Sequence, residues 1–532
     1  MPERNGGGEL DELPGRAGVV VIGAGVIGCS IARELTRYTH DVVILDKESD
    51  VSSGTSKANN AEVHSGIGEK SGTLKQRLNV RGNLMYDDFV SGLNVDFRRQ
   101  GLLIVITPRS LPEGLARYAP RPLRDLLARR VLPRLIVRSG NRKGIPWLTV
   151  VDRDEIFRME PNVTRDAIIG VHDRTYGLVS PYKLTIALAE HAVLNGARLC
   201  LDTRVTGIRT EGGAVRAVLT DAGEIECGLV VNAAGVYADE IADMAGAGGF
   251  RIHGRKGATL IFDREATREY VKGSVAEFRI TGRKKRTSKG GGAMPTLEGN
   301  LQLGPTAIEV DDKEDTSISG DEIREIFDRF HYLLPDFPRD SVIAMFSGVR
   351  APSEDEDFII GASKEVAGFV NVAGMQSPGL ASAPAVAEMV MQILHDLGIP
   401  RVKRAYFKQA RPTPRMFADC ERSEQETLIE RDRRHGHIVC RCEQVTEADV
   451  INAIHGVVPA RSMDAVKRRT RAGMGRCQGG FCTPWISEIL ARELGVPRHE
   501  ITKKGPGSEL FVGPAKCLLD GAARRDGDGG AA

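Results

Sequence analysis

Residues 19–47 read VVVIGAGVIGCSIARELTRYTHDVVILDK, and this stretch decides the fold. The apolar run 19–22 is short enough for a buried parallel strand, and a helix-like pattern follows the glycines. Gly23 permits a tight turn, Gly25 lets backbone N–H groups approach a pyrophosphate, and Gly28 lets helix and strand pack closely. A second strand ends on Asp46, which is placed to accept hydrogen bonds from a ribose hydroxyl. The stretch predicts a dinucleotide site, and the alternative is an ordinary tight turn.

Length and composition limit the class of protein. A chain of 532 residues is too long for one compact core, so we expect about two to four domains. Lys and Arg number 73 against 71 Asp and Glu, which gives no global charge that favours nucleic acid. No apolar run reaches the length of a membrane span and no signal peptide is recognisable. We therefore predict a cytoplasmic protein without a transmembrane segment, with peripheral membrane attachment as the alternative.

Two later segments repeat the strand–glycine–helix pattern. They are LVVNAAG at 229–235 and GFVNVAGMQSPGLASAPAVA at 368–387. Three such units far apart in the chain predict one sheet assembled from discontinuous segments. The intervening residues would then form a second domain.

Other candidate residues come from shorter patterns. The hydroxyl cluster SSGTSK at 52–57 follows the second strand, where hydroxyls suit phosphate or ribityl oxygens, although a polar loop would look the same. His64 follows soon after, and a lone histidine is more often structural than catalytic. The basic stretches 117–138 and 283–286 indicate solvated surfaces. The alternatives for them are a partner or membrane surface at 117–138 and phosphate binding at 283–286.

A series of motifs carries a resemblance to a known family. In chain order they are GAGVIG (23–28) with Asp46, GTSKANNAEVHSG (54–66), GLVSPYKLTIALAEHA (177–192), VVNAAGVYAD (230–239), GNLQLGPTA (299–307), GVRAPSEDEDFIIG (348–361) and NVAGMQSPGLASAP (371–384). Together they resemble the D-amino-acid-oxidase/glycerol-3-phosphate-dehydrogenase superfamily of FAD-dependent enzymes. Within it the chain is similar to the glycerol-3-phosphate dehydrogenase branch, with L-2-hydroxyglutarate oxidases as close relatives.

The resemblance implies FAD as the cofactor and assigns a role to each motif. The residues it places around FAD are Gly23, Gly25, Gly28 and Asp46 at the ADP half, Thr55 and Ser56 near the pyrophosphate or ribityl chain, Val205 with its backbone toward the adenine, Ala234 and Gly235 bordering the cleft, and Gly374 and Gly379 toward the ribityl and pyrimidine end.

The resemblance also implies the catalytic residues. His64 lies in the segment that faces the isoalloxazine, and Arg350 matches the arginine that holds the anionic group of the substrate. Glu62 departs from the small or apolar residues that relatives carry before the histidine. A carboxylate there would alter the charge preference of the pocket.

The C-terminal region contains two close pairs of cysteines. Cys440 and Cys442 form a C-x-C, and Cys477 and Cys482 form a C-x4-C. Four thiolates in this pattern bind zinc or an iron–sulfur cluster, and unmetallated thiols are the third alternative. Thr446 and Thr483 are predicted to cap short helices beside the pairs.

The run TRAGMGRCQGGFC, with CRC upstream, resembles the [2Fe-2S] module of bacterioferritin-associated ferredoxin. Five cysteines outside the pairs are interpreted as structural, namely Cys29, Cys200, Cys227, Cys420 and Cys517.

These observations predict an α/β protein with a discontinuous Rossmann-like FAD-binding domain, an α+β substrate domain and a small helical C-terminal [2Fe-2S] domain. The expected boundaries are a disordered tail at 1–17, an oxidoreductase region at 18–410 (flavin part about 18–95, 150–245 and 340–400; substrate part about 96–149 and 246–339), a linker at 411–435, the [2Fe-2S] domain at 436–515 and a tail at 516–532.

The expected activity is oxidation of a small anionic alcohol, sn-glycerol 3-phosphate first and L-2-hydroxyglutarate second, in which electrons pass through FAD and the cluster to a quinone, a ferredoxin or a partner subunit. A cluster favours a dehydrogenase over an oxidase, since an oxidase that uses oxygen directly needs none. A non-catalytic electron-transfer subunit is the alternative of another class.

Overall fold

The structure is a computed structural model that describes residues 12–112, 118–279, 291–412 and 415–516. The chain forms two compact units, a larger one from residues within 9–47 and 51–411 and a smaller one from residues within 1–8, 48–50 and 412–532. The basic turn 283–286 and Cys517 lie outside the described residues, so what was expected of them stays a prediction.

The strands of the described residues are, in chain order, β1 (Val19–Ile22), β2 (Val42–Leu45), β3 (Glu62–Val63), β4 (Phe97–Arg98), β5 (Leu102–Ile106), β6 (Leu148–Val151), β7 (Ile169–Asp173), β8 (Gly177–Val179), β9 (Arg198–Cys200), β10 (Val205–Glu211), β11 (Ala214–Thr220), β12 (Gly223–Glu226), β13 (Val230–Asn232), β14 (Gly254–Phe262), β15 (Ser274–Glu277), β16 (Gly292–Pro295), β17 (Leu301–Gly304), β18 (Ile308–Val310), β19 (Val342–Arg350), β20 (Ile359–Ala362), β21 (Phe369–Ala373), β22 (Ile438–Cys440) and β23 (Val445–Thr446).

The helices are α1 (Val26–Leu35), α2 (Leu74–Val90), α3 (Arg121–Leu126), α4 (Leu132–Arg142), α5 (Arg153–Met159), α6 (Pro181–Leu194), α7 (Ala238–Ala245), α8 (Arg264–Thr267), α9 (Gly320–Leu333), α10 (Gly379–Asp396), α11 (Arg422–Arg431), α12 (Glu447–Ile454), α13 (Met463–Thr470) and α14 (Thr483–Leu494). A π-helical turn at Leu127–Val131 joins α3 to α4. None of the described helices is both long and apolar enough to cross a bilayer.

The first sheet of the larger unit has the order β20-β21-β13-β1-β2-β9. Strands β21, β13, β1, β2 and β9 run parallel, and β20 pairs antiparallel with β21 at the edge. The three strand–glycine–helix units therefore contribute three adjacent strands, as the sequence predicts. The carboxyl ends of these strands, and the loops that follow them, meet at one edge of the sheet.

The second sheet of the larger unit is mixed. Its order is β18-β14-β17-β16-β15-β5-β7-β6, and β19 also pairs with β14. The pairing of β14 with β19 is antiparallel and continues to Arg350, which lies opposite Arg255. The Rossmann-like sheet beside a mixed sheet confirms the predicted fold class, while the finer boundaries of the flavin and substrate parts stay a prediction.

Two stretches that were expected to lack regular structure contain ordered residues. Arg16 pairs with Glu226, and Ala17 is buried, so the end of the predicted tail belongs to the folded chain. In the predicted linker 411–435, Arg411 is buried against Glu190, and α11 forms further along. Low apolar content misled the sequence interpretation here, because these residues are held by backbone pairing, an ion pair and helical hydrogen bonds.

The smaller unit has a core of its own. Apolar residues of β22, α12, α13 and α14 form one buried cluster, which includes the cysteines Cys440 and Cys482. The hydroxyl of Thr446 accepts from the amide of Asp449 in a capping box, as predicted. The predicted cap at Thr483 is wrong: Cys482 is the N-cap and Thr483 is the first helical residue, whose hydroxyl donates to the carbonyl of Gly479.

The crossing of α2 and α10 generates a stability prediction. A Cβ on Gly82 would lie 2.3 Å from the carbonyl oxygen of Ala381, so Gly82→Ala forces the two helices apart. Overpacking of this kind costs about 1–3 kcal/mol. We expect a lower midpoint of thermal unfolding by circular dichroism, whereas Gly228→Ala, where a Cβ meets nothing within 4 Å, should leave the midpoint unchanged. Equal midpoints for the two variants would show that the helix contact is not tight.

Candidate functional sites

The turn between β1 and α1 is packed too closely for side chains. Gly23 has φ +108°, and a Cβ there would lie 2.4 Å from the carbonyl oxygen of Ala233. A Cβ on Gly28 would lie 1.9 Å from the carbonyl oxygen of Gly23. These contacts hold the amino end of α1 against the carboxyl ends of β1 and β13, where a diphosphate would meet free N–H groups.

The amino end of α1 faces the loop after β2. Gly25 is the N-cap of α1, and the amide of Val26 donates to Ser56 Oγ at 2.9 Å. Ser52, in the same loop, has its hydroxyl buried with no partner among the described residues. Polar groups placed this way fit an anionic cofactor beside the helix terminus. The Thr55 hydroxyl instead donates to the carbonyl of Val349 at 2.5 Å, which ties the loop to β19.

Asp46 is held against the glycine turn. Its Oδ2 accepts from the amide of Ala24 at 2.7 Å, and its carbonyl accepts from the amide of Thr203 at 2.9 Å. The second bond brings the chain to Val205, which is buried at the start of β10. The structure therefore places Asp46 beside the glycine turn and connects it to the segment that leads into β10.

The other predicted cofactor residues follow neighbouring strands. Ala234 and Gly235 come directly after β13, next to the turn at Gly23, and Gly235 has φ +62°. Gly374 follows β21 with φ +71°, and Gly379 begins α10. The loops after β1, β2, β13 and β21 thus converge at one edge, which is where open α/β sheets bind nucleotides.

Arg350 is the last residue of β19 in the second sheet and lies opposite Arg255 of β14. Its Nη2 donates to the carbonyl of Thr306 at 2.6 Å, and Nη1 donates to no described residue. No carboxylate of the described residues lies within salt-bridge distance of it. Burial and the neighbouring cation of Arg255 lower the pKa of Arg350 to about 10. A cation in this environment gains from a bound anion.

Arg255 was not identified from the sequence. Unlike Arg350, it is paired with carboxylates. It is 5% exposed, and its guanidinium binds Glu309 at 2.5 Å and Glu356 at 2.5 Å. Glu356 also accepts from Gln376 Nε2 at 2.8 Å. Gln376 lies in the glycine turn after β21, so this network connects that turn to the strand opposite Arg350.

His64 lies beside a carboxylate and two hydroxyls. Its Nε2 is 3.6 Å from Glu62 Oε2 and 3.2 Å from Ser377 Oγ. The buried hydroxyl of Tyr176 donates to Glu62 Oε1. Burial and then the charge of Glu62 raise the pKa of Tyr176, which therefore stays a hydrogen-bond donor. Glu62 also acts electrostatically on Arg350, so the structure brings the two predicted catalytic residues into one region.

Tyr176 and His64 contact the two carboxylate oxygens of Glu62, and the effect of this carboxylate on the charge preference of the pocket stays a prediction. The missed residues Tyr176, Gln376 and Ser377 adjoin or lie within motifs of the family series, which was the available signal. Nothing in their spacing indicates which of them face His64.

The four predicted metal-ligating cysteines form two pairs. Cys442 Sγ is 3.6 Å from Cys477 Sγ, and Cys440 hydrogen-bonds with Cys482. Charges on Cys440 and Cys477 also act on the partner pair, so the two pairs are neighbours. In the part of the chain that the structure describes, no three potential ligands converge to hold a single metal ion. Two thiol pairs fit a two-iron cluster, in which each iron takes two thiolates.

Backbone N–H groups surround the sulfurs. The hydrogen bond from Cys482 lowers the pKa of Cys440 to about 6, with help from the amide of Gly473. Burial raises the pKa of Cys477, but amides that include Phe481 and Gly479 outweigh it and lower that pKa. The loop leaves no room for a side chain at Gly475, where a Cβ would lie 2.3 Å from Cys442 Cβ. Such a cradle suits anionic sulfur.

The comparison with known proteins decides the family. The sequence profile described as FAD dependent oxidoreductase, DAO, matches residues 18–393. The chain belongs to this family. Residues 438–492 match the BFD-like [2Fe-2S] binding domain, and all four paired cysteines lie within that range. FAD and a [2Fe-2S] cluster are thereby confirmed as the cofactors of this oxidoreductase.

Named relatives of this chain support its assignment to the FAD-dependent oxidoreductase family. Glycerol 3-phosphate dehydrogenase of Caloramator mitchellensis is 38% identical over 498 residues, which cover 94% of this chain and 98% of the relative. Glycerol 3-phosphate oxidase of Mycoplasma pneumoniae is 26% identical over 385 residues, which cover 71% of this chain and 94% of the relative.

The fold is similar to that of a solved structure. The dithionite-reduced L-alpha-glycerophosphate oxidase of Mycoplasma pneumoniae with FAD bound has a TM-score of 0.66 and 24% identity, with coverage of 75% of this chain and 100% of that one. At this identity the likeness supports the shared fold of the oxidoreductase region.

The glycine turn generates a prediction on the flavin. Gly25→Val should abolish retention of FAD, because a Cβ on Gly25 already lies 3.1 Å from Ser56 Oγ and the added methyl groups would enter the place of the phosphates. Nucleotide released by heat is identified by chromatography. Gly228→Val is the matched control, since Gly228 lies outside the cofactor motifs and a Cβ there meets nothing within 4 Å. Release of NAD, or of no nucleotide, from the wild type would contradict the assignment.

The thiol pairs generate a prediction on the cluster. Wild-type protein purified without oxygen should contain about two iron and two sulfide per chain. Cys477→Ser should remove the cluster absorption and leave FAD bound. Cys420→Ser is the control, because this buried cysteine of the smaller unit contacts the carbonyl of Met416 and neither thiol pair. Stoichiometric zinc without iron, or equal iron loss in the control, would show that the ligand set is different.

Proposed function

We propose that this protein oxidises sn-glycerol 3-phosphate to dihydroxyacetone phosphate and delivers the electrons, through its [2Fe-2S] domain, to an acceptor other than oxygen. The observation that carries the proposal is Arg350, a half-buried guanidinium that no described carboxylate neutralises, close to the His64–Glu62 pair. The relative of 38% identity that is named a glycerol 3-phosphate dehydrogenase supports the same substrate.

Arg350 binds the anionic end of the substrate. Its planar guanidinium forms paired hydrogen bonds with a phosphate or a carboxylate, and Nη1 has no hydrogen-bond partner among the described residues. Its bonds to the carbonyls of Arg255 and Thr306 fix the plane of the guanidinium. Arg255 is already neutralised by Glu309 and Glu356, so the positive charge available to the ligand is concentrated on Arg350.

His64 accepts the proton of the substrate hydroxyl. Glu62 stabilises the imidazolium that forms, and the hydrogen bond from Tyr176 holds the carboxylate in place. FAD held by the glycine turn would supply the hydride acceptor, so that the alcohol would lose two electrons and two protons in total. Gly23, Gly25, Gly28, Asp46 and Ser56 are the residues that we assign to holding this cofactor.

The acceptor is proposed from the domain composition. A [2Fe-2S] cluster transfers one electron at a time, which suits a quinone, a ferredoxin or a partner subunit. The dehydrogenase relative matches 94% of this chain, whereas the oxidase relative matches 71% of it. The difference in coverage supports a dehydrogenase. L-2-hydroxyglutarate is the second candidate substrate, because a carboxylate fits the guanidinium equally well.

The substrate is tested by anaerobic bleaching of the flavin. sn-Glycerol 3-phosphate should bleach it rapidly, and glycerol, which lacks the anion, should not. Arg350→Lys should weaken substrate binding about ten- to a hundredfold, since a point charge replaces a bidentate contact worth about 1.5–3 kcal/mol. Binding should also weaken as the pH rises through about 10, because the guanidinium then loses its proton.

Arg216→Lys is the matched control, since this exposed residue lies on β11 and should bind substrate as the wild type does. Bleaching by L-2-hydroxyglutarate alone would reverse the order of the two substrates. Bleaching by neither would overturn the proposal. An affinity that Arg350→Lys leaves unchanged would remove Arg350 from the site.

A further inference from the structure

The helical segment 121–142 of the larger unit is strongly basic, and the proposed chemistry does not use it. Residues 121–142 include seven arginines and a single carboxylate, Asp125. The segment consists of α3, the π-helical turn and α4. This concentration of charge requires a separate explanation, because the chain as a whole is nearly neutral.

The arginines of α4 lie along one exposed face. Arg134, Arg138 and Arg142 are spaced four residues apart, and no carboxylate of the described residues lies within salt-bridge distance of them. The opposite face is buried through Pro133 and Ile136. Like charges at this spacing destabilise a helix, so the arrangement is unfavourable unless an anion binds to it.

The three arginines surround an open depression of about 470 Å³. Val137, Asn141 and Val150 complete its lining. A depression with guanidinium groups around apolar side chains fits a ligand in which an anionic group is joined to a hydrocarbon chain. A phospholipid has both features.

Large apolar side chains of the same segment are exposed. Leu135 is 56% exposed and lies on α4 among the arginines, while Leu123 and Leu126 of α3 are 44% and 49% exposed. Tyr118, just before α3, is 78% exposed. Leucines among arginines on a helical surface are the pattern of helices that lie in the interface of a membrane.

Trp147, five residues after α4, is an unusual feature of the backbone. Its φ is +59°, a conformation that is rare for a bulky residue, and yet the residue is 62% exposed. Strained backbone conformations are normally retained at functional sites. The conformation of Trp147 does not serve to bury its indole, so we look for a function of the exposed ring. Tryptophan is the residue most characteristic of the membrane–water interface.

We propose that this basic helical surface, defined by Tyr118, α3, α4 and Trp147, docks the protein onto bilayers that contain anionic phospholipids. The arginines bind lipid phosphates, and Trp147 and the exposed leucines insert between the headgroups. Charge complementarity requires an anionic partner, and the exposed apolar side chains among the charges favour a bilayer over an acidic protein. The surface shares no residue with the candidate active site or the cysteine loops.

The test uses the full-length, FAD-loaded protein and sedimentation with vesicles. It should bind vesicles of phosphatidylcholine with about 30 mol% phosphatidylglycerol and not pure phosphatidylcholine, and binding should fall at least about tenfold from low salt to about 0.5 M NaCl. The double variant R134E/R138E should lose at least about tenfold in binding. FAD content and the thermal midpoint should match those of the wild type, which shows that the variant is folded.

R216E/K364E is the matched control, because it reverses two exposed positive charges elsewhere in the larger unit and should bind vesicles as the wild type does. Fluorescence gives a second measurement. The chain has two tryptophans, so Trp147 is the only tryptophan in the variant W485F, and its emission on excitation at about 295 nm should shift to the blue on anionic vesicles.

Three outcomes would overturn the proposal. They are the absence of binding to anionic vesicles, an equal loss of binding in R216E/K364E, and binding without a change in Trp147 emission. The first would leave an acidic protein as the partner that fits the arginines. An equal loss in R216E/K364E would show that binding depends on the overall positive charge of the protein. Binding without a change in Trp147 emission would show that another surface contacts the membrane.

Discussion

The close contact between β19 and the loop after β2 determines the geometry of the candidate active site. A Cβ on Gly348 would lie 2.3 Å from the carbonyl oxygen of Ala58, so only glycine allows this approach. The hydroxyl of Thr55 adds a bond to the carbonyl of Val349. The loop that carries Ser56 and leads to His64 is thereby fixed to the strand that ends in Arg350. The loop proposed to face the cofactor and the strand proposed to bind the anion are held together by these contacts.

Two arginines on paired strands differ in their ion pairing, because one is bound by carboxylates and the other is not. This difference determines where the pocket carries positive charge. Arg255 and Arg350 lie opposite each other on β14 and β19. Carboxylates neutralise Arg255, while Arg350 bonds only to carbonyl oxygens among the described residues. Two unneutralised cations so close would repel each other strongly in a partly buried site. Neutralising one of them lets the other remain charged for a ligand.

The parts of the structure that depend on local sequence were predictable, and those that depend on distant pairing were not. The glycine motif at 23–28 combines strand, turn and helix within a few residues, so its geometry follows from sequence. The bond from Tyr176 to Glu62 joins residues 114 positions apart, and no spacing rule indicates it. The same holds for the partners of Arg255. The start of α14 at Thr483 was missed by one residue, because a threonine fits both the cap and the first turn.

The arrangement of the thiols in the smaller unit has a mechanical consequence. Cys442 and Cys477 are 35 residues apart in sequence, and a cluster that bridges them closes the chain between them into a loop. By the loop-entropy estimate used for disulfides, closing such a loop restricts the unfolded chain by about 4 kcal/mol. The cluster is therefore a covalent staple as well as an electron carrier. Oxidative loss of its iron would therefore remove this constraint and loosen the unit that carries the cluster.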